Sequence, residues 1–476
     1  VYQNASGATS ASATITNAAT KTITVSGTGD ATATNDAYAG GFGYGFSQEV
    51  TATVGTETDG VGIASITNSG TINISGTASA SATDTAAGVA DAYAGAFGAY
   101  QSAQATSASA IFTNSGTFNI DANAHATAVG TASVDAYAGG VNQFATGSAA
   151  LVSFTNSGTF TVDAVAAADA PDSDAYATAY GYIGSGDPLT GAFTNSSNMG
   201  VSANATAALS AGAGALGAGF YATEGSTTGT DSNWTGINTL GGTVSNSGTL
   251  TVTASAAASD TEVGASSAYA TGIEMESSVN TATITNTGTL SVSAITGQGG
   301  ITEATGIRIL SFTPTNGTVP GVDDVLTINN NGGTIIARRS GDGGATWTHG
   351  VAIDTSDSPN PAVINLTGGA VKGVIYGGID VSSVDTINVS SGLTEFDGVV
   401  NPGGELEGQL NIAATGTLYL KDKPWANTSY DGPSAVNVDD FNIAAGGTLA
   451  VDLPTAPVAA DAELAYPVVT ANTANI

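Results

Sequence analysis

Cysteine is absent from the 476-residue chain, which excludes disulfides, thiol catalysis and cysteine-ligated metal sites. A secreted protein without disulfides needs another source of robustness, and a long ladder of backbone hydrogen bonds would supply one. The sequence contains no run of about 18 apolar residues, so no segment is expected to span a membrane as a helix. Its first residue is Val1 rather than methionine, which indicates a removed signal peptide or a trimmed chain.

Basic residues are scarce. Seven Lys and Arg stand against 39 Asp and Glu, the net charge is −32, and Lys21 is the only base before Arg308. Such a surface repels phosphate backbones and anionic lipids, so no nucleic-acid partner is expected. The acidic composition does not indicate disorder, because charged residues make up only 10% of the chain and hydrophobic residues 41%.

A four-residue phrase, Asn-Ser-Gly-Thr, recurs along the first part of the chain. It begins at Asn68, Asn114, Asn156 and Asn246, as Asn-Thr-Gly-Thr at Asn286, and in weaker form at Asn17 and Asn195. The copies return about every 39 to 51 residues, a spacing typical of solenoids and stacked arrays. In such an array each unit packs only on its neighbours, so we expect one elongated body rather than several globular domains.

Apolar and polar residues alternate with a period of two, which favours strands over helices. In Thr77–Ala82 and Ala122–Ala128 every second residue is alanine. We expect the small residues to point inward, together with larger ones at Ile66, Ile72, Ile74, Phe112, Phe118, Ile120, Phe154, Phe160 and Val162. Each unit reads as three strands: one before the Asn phrase, one after it, and one carrying Asp-Ala-Tyr. The sequence therefore predicts an all-β, right-handed parallel β-helix with coils about 4.8 Å apart.

The Asn-Ser-Gly step is interpreted as a sharp bend. Asn and Gly tolerate positive φ, so we expect left-handed backbone at these turns. Stacked coils would line the asparagines up as a hydrogen-bonded ladder of Asn17, Asn68, Asn114, Asn156, Asn195, Asn246 and Asn286. The alternative is the hairpin turn of an antiparallel sandwich, although a sandwich does not require the same phrase in seven successive units.

The repeat pattern of the sequence changes near residue 300. The repeat units become shorter and the predicted turns become rich in glycine, as at Asn330–Thr334 and Pro402–Gly404. We therefore divide the chain into a β-helix with long Asn-Ser-Gly-Thr coils at 1–300 and tighter coils of the same β-helix at 301–455. The stretch Pro454–Pro457 interrupts strand pairing. Residues 456–476 are interpreted as a terminal coil or a linker.

Two features resemble the passenger domain of a bacterial autotransporter of type V secretion. They are the Asn-Ser-Gly-Thr repeats and the C-terminal stretches Gly416–Leu420, Val436–Val438, Gly446–Leu449 and Tyr466–Val469. The resemblance implies a β-helix displayed on the surface of a Gram-negative bacterium or released outside it. It also implies an outer-membrane β-barrel translocator as a partner, towards which 456–476 would lead. The family includes adhesins, proteases, esterases and structural fibres, so it leaves the activity open.

The phrase Asp-Ala-Tyr recurs in the predicted third strands and places its Asp and Tyr on one face. We expect an outward acidic ladder beside a tyrosine ladder, a candidate contact stripe formed by Asp36, Tyr38, Asp91, Tyr93, Asp135, Tyr137, Asp174 and Tyr176. Stacked carboxylates repel one another, so they require cations, raised pKa values or a lateral offset. The alternative is that each Tyr packs under a loop and each Asp caps a turn.

Calcium is the only cofactor that the composition suggests, as an ion shared between carboxylates of neighbouring molecules. The sequence contains neither an EF-hand loop nor a repeated calcium-binding nonapeptide. The pairs Asp323-Asp324 and Asp439-Asp440 are isolated and fit solvated turns better than a metal site. No other cofactor is expected.

Candidate catalytic residues are few, since only His125 and His349 occur. His125 lies on the polar side of an alanine-rich strand, and His349 lies near Arg338 and Arg339. No Gly-x-Ser-x-Gly elbow is present. The sequence thus predicts a non-enzymatic extracellular structural protein, an acidic rod that self-assembles into a surface layer or fibre through many weak contacts. The alternative is an adhesin for cell surfaces or biofilms that binds a surface glycan, and the third hypothesis is a polysaccharide-degrading β-helix enzyme.

Overall fold

The computed structural model describes residues 1–52, 60–83, 88–222, 239–259, 265–297, 299–311, 324–421, 433–452 and 467–476. All regular secondary structure in these ranges is β-strand. None of the described residues belongs to a helix long and apolar enough to cross a membrane, in agreement with the expectation from hydropathy.

The strands follow one another along the chain with short connections. The first seventeen are β1 (Tyr2–Gly7), β2 (Ser10–Asn17), β3 (Thr22–Ala33), β4 (Asp36–Ala52), β5 (Val61–Asn68), β6 (Thr71–Ala82), β7 (Val89–Gln104), β8 (Ser107–Asn114), β9 (Thr117–Thr127), β10 (Thr131–Asn156), β11 (Thr159–Asp169), β12 (Asp172–Asn195), β13 (Asn198–Ala207), β14 (Ser210–Ala222), β15 (Thr239–Asn246), β16 (Thr249–Ala258) and β17 (Ser266–Ser277). The others are β18 (Val279–Asn280), β19 (Thr283–Asn286), β20 (Thr289–Thr296), β21 (Ile301–Ser311), β22 (Leu326–Asn331), β23 (Thr334–Ser340), β24 (Thr348–His349), β25 (Val351–Asp357), β26 (Ala362–Thr367), β27 (Gly373–Tyr376), β28 (Gly378–Asp380), β29 (Thr386–Asp397), β30 (Val399–Val400), β31 (Gln409–Leu420), β32 (Ala435–Ile443), β33 (Thr448–Val451) and β34 (Val468–Asn475).

Each coil contributes one strand segment to each of three parallel sheets, and β10 and β12 continue from the third sheet into the first sheet of the next coil. β2, β5 and β8 pair in the first sheet, β3, β6 and β9 in the second, and β4, β7 and β10 in the third. The two-residue strand β24 is an exception, because it pairs antiparallel with β23. The prediction of a parallel β-helix with three strands per coil is confirmed, and the antiparallel sandwich is wrong.

The core is a stack of inward-facing residues, as the alternation predicts. Ala78, Ala80 and Ala82 are buried, and all nine larger residues expected inside are fully buried. Phenylalanines stack from coil to coil, with ring centroids 5.5 Å apart between Phe112 and Phe154. Alanine suits these positions because the sheets face one another closely, and the aromatic rings fill the wider part of each layer.

The glycines of the Asn phrase do not adopt the predicted left-handed backbone. Among described non-glycine residues only Thr20 and Asn401 have positive φ, and none of the repeat glycines does. An added Cβ at Gly116 would instead lie 2.0 Å from the carbonyl oxygen of Gly70, and one at Gly158 2.0 Å from that of Gly116. The positive-φ prediction is therefore wrong, because glycine is required here for close approach between stacked turns.

The sheets continue through residue 300 without interruption, since β17 pairs with β21 and β20 with β23. The coil repeat falls to 23 residues between Asn365, Asn388 and Asn411. The stretch Pro454–Pro457 lies outside the described residues, whereas β34 pairs with β32 in the last described coil.

Candidate functional site

The predicted asparagines form one buried column on the inner side of the first sheet. Each carboxamide nitrogen donates to the carboxamide oxygen of the next coil at 2.8–2.9 Å. Most also donate to a backbone carbonyl of that coil, as Asn68 does to Thr117 at 2.9 Å. The members are Asn17, Asn68, Asn114, Asn156, Asn195, Asn246, Asn286 and, in addition, Asn330. From Asn17 to Asn330 the column bonds each coil to the next, so the surface outside these coils is held at fixed spacing.

A second buried ladder was missed by the sequence reasoning. Gln48, Gln101 and Gln143 donate in turn to Gln3, Gln48 and Gln101 at 2.8–2.9 Å. The buried Tyr182 hydroxyl ends the row by donating to Gln143 at 3.0 Å. A sequence signal was present, because each of the three glutamines follows a glycine by three residues, at Gly45, Gly98 and Gly140.

An uncharged column runs along the outside of the first sheet. Each coil places one residue of its first-sheet strand in this column, paired with the equivalent residue of the next coil. That residue is Thr or Ser in the first seven coils and Asn in the last six. Its members are Thr16, Thr67, Thr113, Thr155, Thr194, Ser245, Thr285, Asn329, Asn365, Asn388, Asn411, Asn442 and Asn475. The buried asparagine column therefore ends at Asn330. A second asparagine column, on the outside of the sheet, begins at the neighbouring residue Asn329.

The Asp-Ala-Tyr phrases share the outer face of the third sheet but do not align. Asp91 pairs with Tyr38, and Asp135 pairs with both Tyr93 and Tyr176. The prediction of separate acidic and tyrosine ladders is therefore wrong, and the phrases are offset by two residues between neighbouring coils. The offset separates like charges and sets each of these carboxylates beside a phenol, so it relieves the repulsion expected of a stacked carboxylate row.

Burial and the remaining repulsion between carboxylates raise pKa values on this face. Partial burial and the charge of Asp36 raise the pKa of Asp91, and burial and the charge of Asp91 raise the pKa of Asp135. Burial and the two aspartates raise the pKa of Tyr93. Tyr93 therefore stays neutral at physiological pH.

The tyrosines of the predicted stripe are exposed rather than packed under loops. Tyr38 is 65% exposed, and Tyr93, Tyr137 and Tyr176 are also exposed. Asp36 is exposed, and Asp174 is partly exposed on the same face. These positions give the face the amphipathic surface that contact sites use.

An aromatic row crosses four coils of the same sheet and was only partly predicted. The centroids of Tyr44 and Phe97 are 5.1 Å apart, those of Phe97 and Tyr137 5.3 Å, and those of Tyr137 and Tyr180 5.6 Å. Phe42 extends the row, 6.3 Å from Tyr44. Only Tyr137 was among the predicted residues, because the row uses different positions of successive strands. We call these five residues the aromatic row.

Most of the bases gather on the second and third sheets near the C-terminal end. Glu395 accepts hydrogen bonds from Lys372 at 2.7 Å and contacts Lys421 at 2.9 Å. The Arg338 guanidinium lies 4.1 Å from the centre of the Trp347 ring. Arg308 approaches Glu303 at 3.6 Å. The Glu395 contacts join neighbouring coils, and Arg338 holds the segment around Trp347 against β23.

His349 lies beside this cluster, next to a cavity of about 600 Å³ lined by Glu303, Arg339 and Thr348 among others. Its Nε2 is 3.2 Å from Asp397 Oδ1, and its ring centroid is 4.6 Å from that of Tyr376. His125 lies exposed on β9, where it approaches Asp169 at 3.4 Å. The structure thus keeps the two histidines on different parts of the rod.

No group of three or more His, Asp or Glu residues in the described part of the chain is arranged to hold a metal ion. Asp439 accepts a hydrogen bond from Asn472 at 2.8 Å. Asp324 is partly exposed, and Asp323 lies outside the described residues.

Mild acidification is expected to stabilise the fold. Burial and the nearby carboxylates of Asp354, Glu405, Glu407 and Asp357 raise the pKa of Asp380 to about 6 from 3.8. The folded state therefore binds this proton more strongly than the unfolded state, so the stabilisation is complete below about pH 4 and is lost as the pH rises through 6. Thermal unfolding followed by calorimetry should show Tm rising between pH 7 and 5.

Asp380→Asn is the matched variant for this effect. It should flatten the rise in Tm and stabilise the protein at pH 7 by about 1 kcal/mol, a figure discounted because the carboxyl is partly solvated. Below about pH 4 the Tm should fall again as the pH is lowered. Hydrogen bonds from Thr346 lower the pKa of Asp342 to about 2, so protonation of this carboxylate favours the unfolded state. A Tm that falls from pH 7 to 5 would contradict the assignment.

No protein-family model, curated protein or solved structure matches this chain.

Proposed function

We propose that this protein is a non-enzymatic structural protein of the Gram-negative cell exterior, an autotransporter passenger that acts as an adhesive rod. The aromatic row is the observation that carries the proposal. Aromatic side chains supply rigid contact area at low conformational cost, and here they are repeated along one face. Because the buried ladders fix the spacing of the coils, many weak contacts can form together and add up.

The charge of the rod supports attachment to a different partner rather than to a second aromatic face. Asp91, Asp135 and Asp174 lie on the same sheet, and the net charge of the chain is −32. Two such faces repel each other at low ionic strength.

Adhesion is expected to depend on Tyr93, which lies on the outer face of the third sheet beside Asp135, and on Tyr137 of the aromatic row. Both are exposed, at 42% and 39%, so Tyr93→Ala with Tyr137→Ala should leave the fold intact. Retention of protein-coated particles on glass, plastic or cell layers under flow should fall about fivefold or more, since multivalent attachment amplifies each lost contact.

Tyr269→Ala is the matched control. Tyr269 is 46% exposed and belongs to the same register column as Tyr137, three coils further along, outside the aromatic row. Its replacement should leave retention unchanged. Equal retention of the double variant and the unaltered protein would refute the proposed adhesive role of this face.

Self-assembly into a surface layer or fibre is the second candidate, favoured by the uncharged column from Thr16 to Asn475. Lateral pairing along this column brings no like charges into contact, unlike pairing across the third sheet. Negative-stain images decide between the candidates, because ordered lattices or filaments support assembly, whereas dispersed rods support adhesion.

The non-enzymatic assignment has its own test. Incubation with neutral and acidic polysaccharides should release no reducing ends above the level of a His349→Ala variant. Release that this variant abolishes would make the protein an enzyme acting through the His349–Asp397 pair.

A further inference from the structure

A groove follows the corner of the third sheet beside the aromatic row. The in–out alternation of the third strands changes phase at Gly45, where Gly45 and Phe46 are both buried, and the coil-to-coil pairing skips this position. Gly98 and Gly140 occupy the equivalent corner of the next two coils, and an added Cβ at Gly98 would lie 2.3 Å from the Gly140 oxygen. The absence of side chains at this corner leaves a cavity of about 470 Å³ open along the rod. We call it the corner groove.

The walls of the corner groove are mainly aromatic. The backbone amino group of Val1, which donates to the Gly45 carbonyl at 2.6 Å, also lines it. Tyr44 and Phe97 stand on the side before the corner, and Tyr100 stands on the side after it. Tyr180 and Asn142 close the far end. No Asp, Glu, Lys, Arg or His side chain is among the described residues that line it. Tyr180 is hydrogen-bonded with Tyr137 and Asn142, so phenol and amide groups are presented in a neutral network.

We propose that the corner groove binds a neutral polysaccharide chain, with its sugar rings against Tyr44, Phe97 and Tyr100. This deepens the proposed adhesive function and rests on it. A pyranose offers apolar C–H groups to aromatic rings and hydroxyls to phenol, amide and backbone groups, which is the combination found in this groove. The aromatic centroids repeat every 5.1–5.6 Å along the row, so a polymer of rings can meet equivalent contacts on successive coils.

Other occupants match the lining less well. Anionic polysaccharides are repelled by Asp91 and Asp135 on the same sheet. An aliphatic lipid offers no hydroxyl that could hydrogen-bond to the phenol and amide groups of this groove, whereas a sugar does. A basic peptide finds no carboxylate among the described lining residues, and a second copy of the chain brings the same negative charge.

The test is affinity electrophoresis of the whole chain in gels that contain one polysaccharide each. Neutral glucans, mannans and galactans are compared with polygalacturonate and heparin, and polylysine is tested by calorimetry. At least one neutral polysaccharide should retard the unaltered protein. Tyr44→Ala and Tyr100→Ala, on opposite sides of the groove and 63% and 41% exposed, should each weaken that binding at least tenfold. Tyr269→Ala should bind normally, and Tyr44→Phe should retain most of the affinity.

Three outcomes would overturn the inference: no neutral polysaccharide retards the protein, the Tyr44 and Tyr269 variants bind equally, or only polylysine binding responds to the groove variants. Circular dichroism of each variant distinguishes lost binding from lost folding. Because Tyr44→Ala and Tyr100→Ala change opposite sides of the groove, weaker binding by both cannot come from one local structural defect. If particle retention requires Tyr93 and Tyr137 while neutral polysaccharides fail to bind, adhesion stands and the groove assignment falls. If polysaccharides bind and retention does not change, the groove assignment stands and the adhesive function falls.

Discussion

Asn156→Ala is expected to lower the free energy of unfolding of its coils by about 3–5 kcal/mol, because it leaves several buried polar groups unpaired. Asn156 accepts from Asn114 at 2.9 Å and donates to Asn195 at 2.9 Å and to the Asn198 carbonyl at 3.2 Å. Alanine removes all three bonds at a site with no access to solvent. The column is also cooperative, since each carboxamide polarises the next, so the loss should reach the coils on both sides.

Native-state hydrogen exchange is the suitable measurement, because a repeat protein of this length need not unfold in one step. Protection should fall in the strands that flank Asn156 and remain unchanged in the C-terminal coils. Asn388→Ala is the matched control. Asn388 donates to Asn365 at 3.2 Å and accepts from Asn411 at 3.0 Å in the outer column, where water can replace both partners, so its loss should cost about 1 kcal/mol or less.

Asn330→Leu separates the effect of the ladder from that of cavity formation. Asn330 ends the buried column, and the residue paired with it in the next coil is Leu366. Replacing Asn330 by leucine removes two hydrogen bonds, the one donated by Asn286 and the one accepted by the Gly333 carbonyl. The destabilisation should therefore be smaller than for Asn156→Leu. Equal effects of the two leucine variants would show that the ladder contributes little.

Gly158→Ala is the second substitution with a large expected effect. The added methyl group would lie 2.0 Å from the Gly116 carbonyl oxygen, a backbone atom that cannot rotate away. The turn would have to move out of the stack, which also strains the bond from Thr159 to the Gly116 carbonyl at 2.9 Å. We expect a loss of about 2–4 kcal/mol locally, as for severe overpacking, and a lower yield of folded protein.

Gly214→Ala is its control. Gly214 lies on β14 with nothing within 4 Å of an added Cβ and without positive φ. Alanine there should be neutral or stabilise by about 0.5 kcal/mol, because it restricts the unfolded chain. Thermal unfolding and exchange protection of the two variants should differ clearly. A Gly158→Ala protein as stable as Gly214→Ala would mean that the turns are not in close contact.

Part of the aromatic surface could be anticipated from the sequence, and part could not. Tyr38, Tyr93, Tyr137 and Tyr176 were placed correctly on an outer strand face, because side-chain direction in a strand follows from a period of two. The alignment of these tyrosines between neighbouring coils was not predicted correctly. The connection before the third strand differs in length between coils, so Asp91 comes to lie beside Tyr38 rather than beside Asp36.

The sequence by itself determined the repeating coil, the inward alanines and the asparagine column, because alternation and a fixed return distance are local properties that any stacking must satisfy. Only the tertiary structure decided how the third strands register, why the repeat glycines are needed, and that Tyr44, Phe97, Tyr137 and Tyr180 form one row beside a glycine corner. The reason is that these features depend on which atoms of one coil meet those of the next. That choice is set by connection lengths and by the buried ladders together, and no single repeat contains it.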